Sequence, residues 1–399
     1  MIVHAYYPLD ETRVERQAHA LLASGFEVDV LCLRNKSEPA SEIVDGVRVH
    51  RLPVGRHKGK GRVVQMLEYL SFFALVFLRL LTLYPARRYG TLQVHNLPDF
   101  LVFSTFIQKL LGARIILDLH DLMPEFFAGT YDKSMDSLPV RVLKLQERVS
   151  CWYADHVITV TETWRETLIQ RGVRAGKTSV VMNLADEHIF GQVRPDGQSA
   201  EARESFRLIY HGTITQRYGL DLLILAVEQV RSETPGIHLT IHGSGEYRDE
   251  LVRLVEERNL QKYLAFSTTK LPSSEQPVLI KRAHVGLVPY RSDIFTDGIL
   301  PTKLMEYAAL GMPIIAARTT AIEAYFDSNM VQYFTPGDVR DLASSILLLY
   351  KDRDRRTEYA RNIERFNQRY NWKTVAAQYV RVVGQLNHKS IEFTPVNER

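Results

Sequence analysis

RLIYHGTITQRYGLDLLILAVEQVRSETPGIHLTIHGSG, residues 207–245, holds one full period of the pattern on which the fold depends. An apolar run, RLIYH, stops at Gly212. An amphipathic stretch around GLDLLILAVEQVRSE follows, and a second apolar run, HLTIH, stops at Gly243. Strand, helix and strand in that order predict a parallel pair joined by a crossover helix and covered on both faces. The pattern continues in both directions. YLAFSTT, VGLVPY and PIIAARTT carry it forward, while IVHAYYP, FEVDVLCL, LQVHNLP, ARIILDLHD, DHVITVTE and TSVVMN carry it back to residue 2. It pauses at residues 191–206, where GQVRPDGQSAEARESF is polar and aperiodic, contains Pro195, and reads as a linker. The expected fold is α/β, with two doubly wound Rossmann-like domains over 1–190 and 207–368 whose sheets face a cleft. Residues 389–399 read as a loose tail.

The composition fits this. With 399 residues, 45% hydrophobic and 24% charged, the chain has enough apolar surface for two cores, which excludes disordered, collagen-like and disulfide-scaffold classes. A net charge of only +4, spread evenly, leaves no bulk footprint for nucleic acid. Cys32 and Cys151 sit in apolar surroundings without metal-ligand spacing and read as reduced core thiols of a cytoplasmic protein. The N-terminus lacks the basic, apolar and small-residue sequence of a secretory leader.

Residues 296–316, TDGILPTKLMEYAALGMPIIA, carry the most chemistry. They read as a loop, a helix from Thr302 to Leu310 closed by Gly311, and a buried strand. A helix N-terminus at the carboxyl edge of a sheet is an anion site. Lys303 opposes the dipole there and suits a bound anion, with Glu306 placed to accept from sugar or ribose hydroxyls; a solvated Lys303–Glu306 pair is the plain alternative. Gly212, Gly243 and Gly245 follow strands, where glycine admits close backbone approach, and Arg217 offers a fixed cation. In the first half, ILDLHDLMPEFF places Asp118, His120, Asp121 and Glu125 at a strand end, and VHNLPDF places His95, Asn96 and Asp99 at another. His120 there positions a substrate hydroxyl or shares its proton, or else caps the strand.

Residues 63–84, VVQMLEYLSFFALVFLRLLTLY, form an amphipathic helix with a broad apolar face, its polar residues Gln65, Glu68, Ser71, Arg79 and Thr82 falling in one arc. Its flanks are basic, with Arg51, Arg56, Lys58, Lys60 and Arg62 before it and Arg87 and Arg88 after. Residues 51–88 thus suit either an anionic membrane surface or a core helix beside a solvated basic loop.

These segments together resemble the retaining GT-B nucleotide-sugar glycosyltransferases of family 4, nearly throughout. YYPLDETRVERQAHALLASGFEVDVLC and the PTKLMEYAALGMPIIA block look like the subgroup that assembles bacterial surface polysaccharides. The resemblance implies an acceptor-binding first domain, a donor-binding second domain, and a helix over 369–388 that crosses back to the first. It also implies that Glu306 holds the ribose, that Lys303 and Leu304 lie over the diphosphate, that Gly212 and Gly243 close on the donor, and that His120 with Asp121 sits by the transferred sugar. The sequence departs from the pattern at Gly298, where a second glutamate is common and Asp297 is the nearest carboxylate, and at Thr213 and Tyr218, where an arginine and a lysine are common. Arg217 with Lys303 is the replacement. Asp10, Glu11, Thr12 and Arg13 replace the usual glycine-rich loop and are expected on the acceptor side with Asn96, His120 and Glu125. The implied reaction uses a UDP-sugar more readily than a GDP-sugar, needs no metal or other cofactor, and glycosylates a saccharide or polyprenyl-linked acceptor at the inner face of the cell membrane. A small soluble acceptor and a non-catalytic partner subunit are the alternatives.

Overall fold

The computed structural model describes residues 1–8, 11–56, 61–191, 205–267 and 275–387. Most of the expected linker, 192–204, and all of the expected tail lie outside these, as do Asp10, Lys58 and Lys60. The chain forms two compact units, residues 1–182 with the segment from Lys373 onward, and residues 183–372.

The first unit carries β1 (Asp29–Leu33), β2 (Ser41–Val44), β3 (Val47–Leu52), β4 (Thr91–His95), β5 (Arg114–Leu119), β6 (His156–Thr159) and β7 (Thr178–Val180). β1 and β3 pair in parallel, with β2 antiparallel on the edge, and β4 to β7 run parallel in sequence order. Ile2 joins the two sets by bridging Leu31 of β1 and Val94 of β4. The first residues therefore act as a central strand, which is why Ile2 is fully buried.

Asp118, at the inner end of β5, is the polar centre of this unit. Arg13 forks onto it, Nη2 to Oδ1 at 2.8 Å and Nε to Oδ2 at 3.3 Å, while Gln17 and Gln93 donate to Oδ2 at 3.0 and 3.1 Å. Arg13 also donates to Val181 O, and Gln93 accepts from the Tyr379 hydroxyl at 2.6 Å, so the last helix, Trp372–Leu386, is tied to the same carboxylate. Burial disfavours the charge on Asp118, but Arg13, His120 and His95 outweigh it and hold the carboxyl well below its usual range.

The Arg62–Arg87 helix lies on this sheet through Glu68, Phe72, Val76 and Leu80, a buried stripe at spacing four. Its polar arc is divided. Gln65, Ser71 and Thr82 are exposed, while Glu68 turns inward to within 3.0 Å of His4 and Arg79 reaches His50 at 3.3 Å. Met66, Leu67, Leu70, Leu78 and Leu81 are exposed as well.

The second unit carries β8 (Phe206–His211), β9 (Ile237–His242), β10 (Leu264–Ser267), β11 (Val285–Val288), β12 (Ile314–Ala317) and β13 (Gln332–Phe334), all parallel in the order β10-β9-β8-β11-β12-β13. Sequence order reverses between β8 and β11. That switch point opens a crevice at the carboxyl ends of the strands.

Asp118→Asn leaves the Arg13 guanidinium buried against a neutral amide, and is expected to cost the first unit about 3–5 kcal/mol, read as an earlier urea transition. A midpoint matching the parent would show that Asp118 does not hold this unit together.

Candidate functional site

In the second unit the crevice is floored by two strand-end loops in direct contact. Gly243 has φ +146°, and a Cβ there would stand 1.9 Å from Gly212 O. A Cβ on Gly245 would stand 2.0 Å from Ile214 O. These glycines let the loops after β8 and β9 lie on one another, and Arg291 fastens the first loop from the other side by forking onto Asp221 at 2.7 and 2.6 Å and donating to Gln216 O.

Lys303 enters from the first turn of the Thr302–Ala309 helix and packs against Gly212. Its ammonium donates to the Tyr290 hydroxyl at 2.9 Å and lies 4.8, 5.0 and 5.1 Å from the ring centres of Tyr210, Tyr218 and Tyr290. Three π faces stabilise a cation without neutralising it. Burial lowers the Lys303 pKa to about 8, against an opposing pull from Glu306. Tyr218 and Tyr290 stack at 4.3 Å, which fixes the cage.

One turn on, Glu306 Oε2 is hydrogen-bonded to His211 Nε2. The other ring nitrogen of His211 meets the Tyr307 hydroxyl at 3.0 Å, and Tyr307 donates to Ile209 O. Tyr307 reaches this position because β11 has glycine at 286, where a Cβ would stand 2.6 Å from the ring. The carboxylate is thus held by its own sheet. Gly212, Gly243, Gly245, Lys303 and Glu306 therefore converge.

The other residues expected at a donor site stand differently. Thr213 is exposed on the loop after β8, and Arg217 is half-buried with its guanidinium 5.2 Å from the Phe295 ring centre. Leu304 is fully buried and its amide donates to Pro301 O, so it is a core side chain. Asp297 Oδ1 accepts from Thr320 N and caps the next short helix.

In the first unit the ends of β4 and β5 are zipped by Asn96, which accepts from His120 N at 2.7 Å and donates to Asp99 and to Asp121 O. His95 Nδ1 lies 3.0 Å from His120 Nε2 and 3.4 Å from Asp118 Oδ2. Burial lowers both histidine pKa values, that of His120 to about 3 despite the pull of Asp118. His120 is therefore neutral at physiological pH and no base. With the His95 proton on Nδ1 facing its two acceptors, His120 accepts at Nε2 and keeps its own hydrogen on Nδ1, as a donor. Asn96, His120 and Arg13 gather around Asp118, with the Arg13 guanidinium buried on that carboxylate, and Asp121 is tied to this set through its backbone oxygen on Asn96. Glu125 stands apart, buried beneath the fork of Arg171, whose Nη1 also donates to both oxygens of Glu147.

His95, Asp118 and His120 place three ligand-type atoms within 4.8 Å, as do Glu15, His19 and Asp45. The first trio is ill-suited to a metal ion, because Arg13 already occupies both oxygens of Asp118.

A six-stranded parallel sheet of this order, with glycine loops and a caged lysine at its switch point, defines a Rossmann-like unit with a crevice at the carboxyl ends of its strands. Comparison with known families agrees with this. Residues 11–183 match the glycosyl transferase 4-like domain and residues 196–366 match glycosyl transferases group 1. The chain belongs to the GT-B glycosyltransferases of family 4 type.

It is 23% identical over 317 residues to chitobiosyldiphosphodolichol beta-mannosyltransferase of Debaryomyces hansenii, covering 73% of this chain and 66% of that protein. It is 24% identical over 196 residues to the amylovoran biosynthesis glycosyltransferase AmsK of Erwinia amylovora, covering 48% of this chain and 47% of that one. The chain thus spans between about half and two thirds of the length of these curated relatives. Among solved structures it resembles Anabaena HepE in complex with UDP-glucose, with a TM-score of 0.70 at 17% identity over 96% of this chain and 98% of that one.

Between its folded value of about 8 and its ordinary 10.5, Lys303 binds more proton in the unfolded chain, so its burial cost falls as pH rises through that window. Lys303→Met is expected to be more stable than the parent near neutral pH and to lose that advantage toward 10.5 in denaturant titrations. An advantage that does not vary with pH would show that Lys303 is not buried as a cation.

Proposed function

We propose that this chain is a retaining glycosyltransferase that moves a sugar from a nucleotide-sugar, UDP- ahead of GDP-, to a saccharide or polyprenyl-linked acceptor in cell-surface polysaccharide assembly. The observation that carries the reading is the caged Lys303 beside Gly212 and Gly243, one turn from Glu306. It is a positive, desolvated recess with a sheet-anchored carboxylate, the combination a ribosyl diphosphate needs. HepE, which resembles this chain in fold, was solved with UDP-glucose, and the relatives from Debaryomyces and Erwinia are named for a diphosphodolichol-linked sugar and for amylovoran.

In this reading the second unit holds the donor and the first the acceptor. The bond from the anomeric carbon to the diphosphate oxygen breaks, the acceptor oxygen bonds to that carbon on the same face, and the acceptor proton passes to the departing phosphate. Lys303, Arg217 and the N-terminus of the Thr302–Ala309 helix stabilise the charge growing on that phosphate. Neutral His120 donates to a sugar hydroxyl from Nδ1. Glu306 accepts from the ribose, and His211 keeps it in place. No metal is needed in this scheme. The protein works at the cytoplasmic face of the membrane, seated peripherally through residues 51–88.

Calorimetry and thermal shift with UDP, GDP, CDP and dTDP, with and without magnesium, test the donor site. UDP at a hundred times its dissociation constant is expected to add about 2.7 kcal/mol. Glu306→Ala is expected to remove about 1.5–3 kcal/mol of binding, the worth of a charged hydrogen bond. Affinity for the diphosphate falls as pH rises past about 8, where Lys303 loses its proton. If no nucleoside diphosphate binds, the donor assignment fails and the chain is a non-catalytic partner subunit.

A further inference from the structure

The first unit has a second helix whose apolar stripe faces solvent. In the Leu138–Tyr153 helix, Val140, Glu147, Ser150, Cys151 and Tyr153 are buried. Leu138, Val142, Leu145, Val149 and Trp152, spaced alternately by four and three, form one continuous stripe on the outside. Leu138 is 75% and Trp152 is 78% exposed, values that a core helix of this length does not show.

This stripe is linked to the Arg62–Arg87 helix through the segment that packs between them. Phe106 and Leu110, both exposed, share with Trp152, Lys109 and Lys177 a recess of about 680 Å³. Leu111, one residue on, accepts from the Tyr84 hydroxyl near the end of the long helix, and the 3-10 turn Asp99–Thr105 packs Phe100 on Phe73 of that helix and Phe103 on Tyr153 of the other. The three elements that carry exposed apolar residues are therefore packed together in the first unit. Exposed apolar surface on this scale marks a docking face.

Its charge says what docks. Each of the two long helices has a single carboxylate, and each is turned inward, Glu68 to His4 and Glu147 to Arg171. The charges left on the outer side are cationic, with Arg141 and Arg148 exposed beside the stripe and Arg88 exposed after the long helix. Asp132 and Asp136 are exposed in the preceding loop with Lys133 between them, and Asp155 is paired with Lys109. A wide apolar face edged with exposed arginines, whose own helix carboxylates are turned inward and whose nearest recess carboxylate, Asp155, is neutralised by Lys109, matches an anionic bilayer.

We propose that the Leu138–Tyr153 helix is a second membrane-seating element, with Trp152 anchoring the first unit in an anionic lipid surface beside the Arg62–Arg87 helix. This rests on the reading of residues 51–88 as a peripheral membrane contact and extends it. Tryptophan is suited to the position because its ring sits at the boundary between acyl chains and headgroups.

Flotation of the full chain with phosphatidylglycerol/phosphatidylcholine vesicles and with phosphatidylcholine alone tests it. The Leu145→Glu, Trp152→Glu double variant is expected to lose at least about tenfold of the anionic-vesicle binding. In a Trp164→Phe, Trp372→Phe background, Trp152 emission is expected to shift to the blue on adding those vesicles. If that variant floats like the parent while Leu67→Glu, Leu70→Glu does not, the second element is refuted and the first stands. If the parent floats with neither vesicle, or if it is a stable dimer that the Trp152 variant dissociates, the face does not seat on lipid. UDP thermal shift on the same samples reports the donor site separately and is expected to be unchanged in both variants.

Discussion

A single buried carboxylate organises the first unit. Asp118 takes hydrogen bonds from Arg13, Gln17 and Gln93 and lies against His95, so the N-terminal helix, two neighbouring strands and, through Gln93, the C-terminal helix all refer to one atom pair. An ionised group that far from water is tolerable only when nearly every lone pair is met. The same requirement fixes the chemistry beside it. Burial, with a smaller push from the Arg13 charge, keeps the two histidines at the strand ends neutral, and His120 becomes a donor rather than a base.

The second unit solves the opposite problem by opposite means. Its buried ion is a lysine, and it is surrounded by ring faces and a phenol rather than by a carboxylate. A carboxylate in contact would cancel the charge, whereas tyrosine faces lower the cost of burying it and leave its field directed outward. The carboxylate that is present, Glu306, lies a turn away and is held by His211, so the two charges stay distinct.

Much of this was written in local sequence. Strand and helix alternation, glycine at the ends of β8 and β9, and the loop-helix-strand block at 296–316 depend on residues near one another in the chain, and the structure places Lys303 and Glu306 on one short helix, one turn apart. Partnerships formed across long separations were not legible. Arg13 and Asp118 are 105 residues apart, so a polar residue after the first strand reads as a ligand when it is half of a core ion pair. Asp297 and Glu125 read as site carboxylates for the same reason, yet Thr320 and Arg171 engage them. The tyrosine cage draws on positions 210, 218 and 290, ordinary strand and loop aromatics until the sheet closes. The long apolar helix showed its width but not that Glu68 would point inward, because the angular arc of a helix does not reveal which side the sheet takes.

The last helix has a consequence for how the protein is made. Residues 183–372 form a self-contained unit, and the chain returns to the first unit only from Lys373. During synthesis the second unit has all its strands while the first still lacks the Tyr379 hydroxyl that completes the bonding around Gln93. The bonding around Asp118 is therefore the last to be supplied in translation, through a contact between residues 286 positions apart.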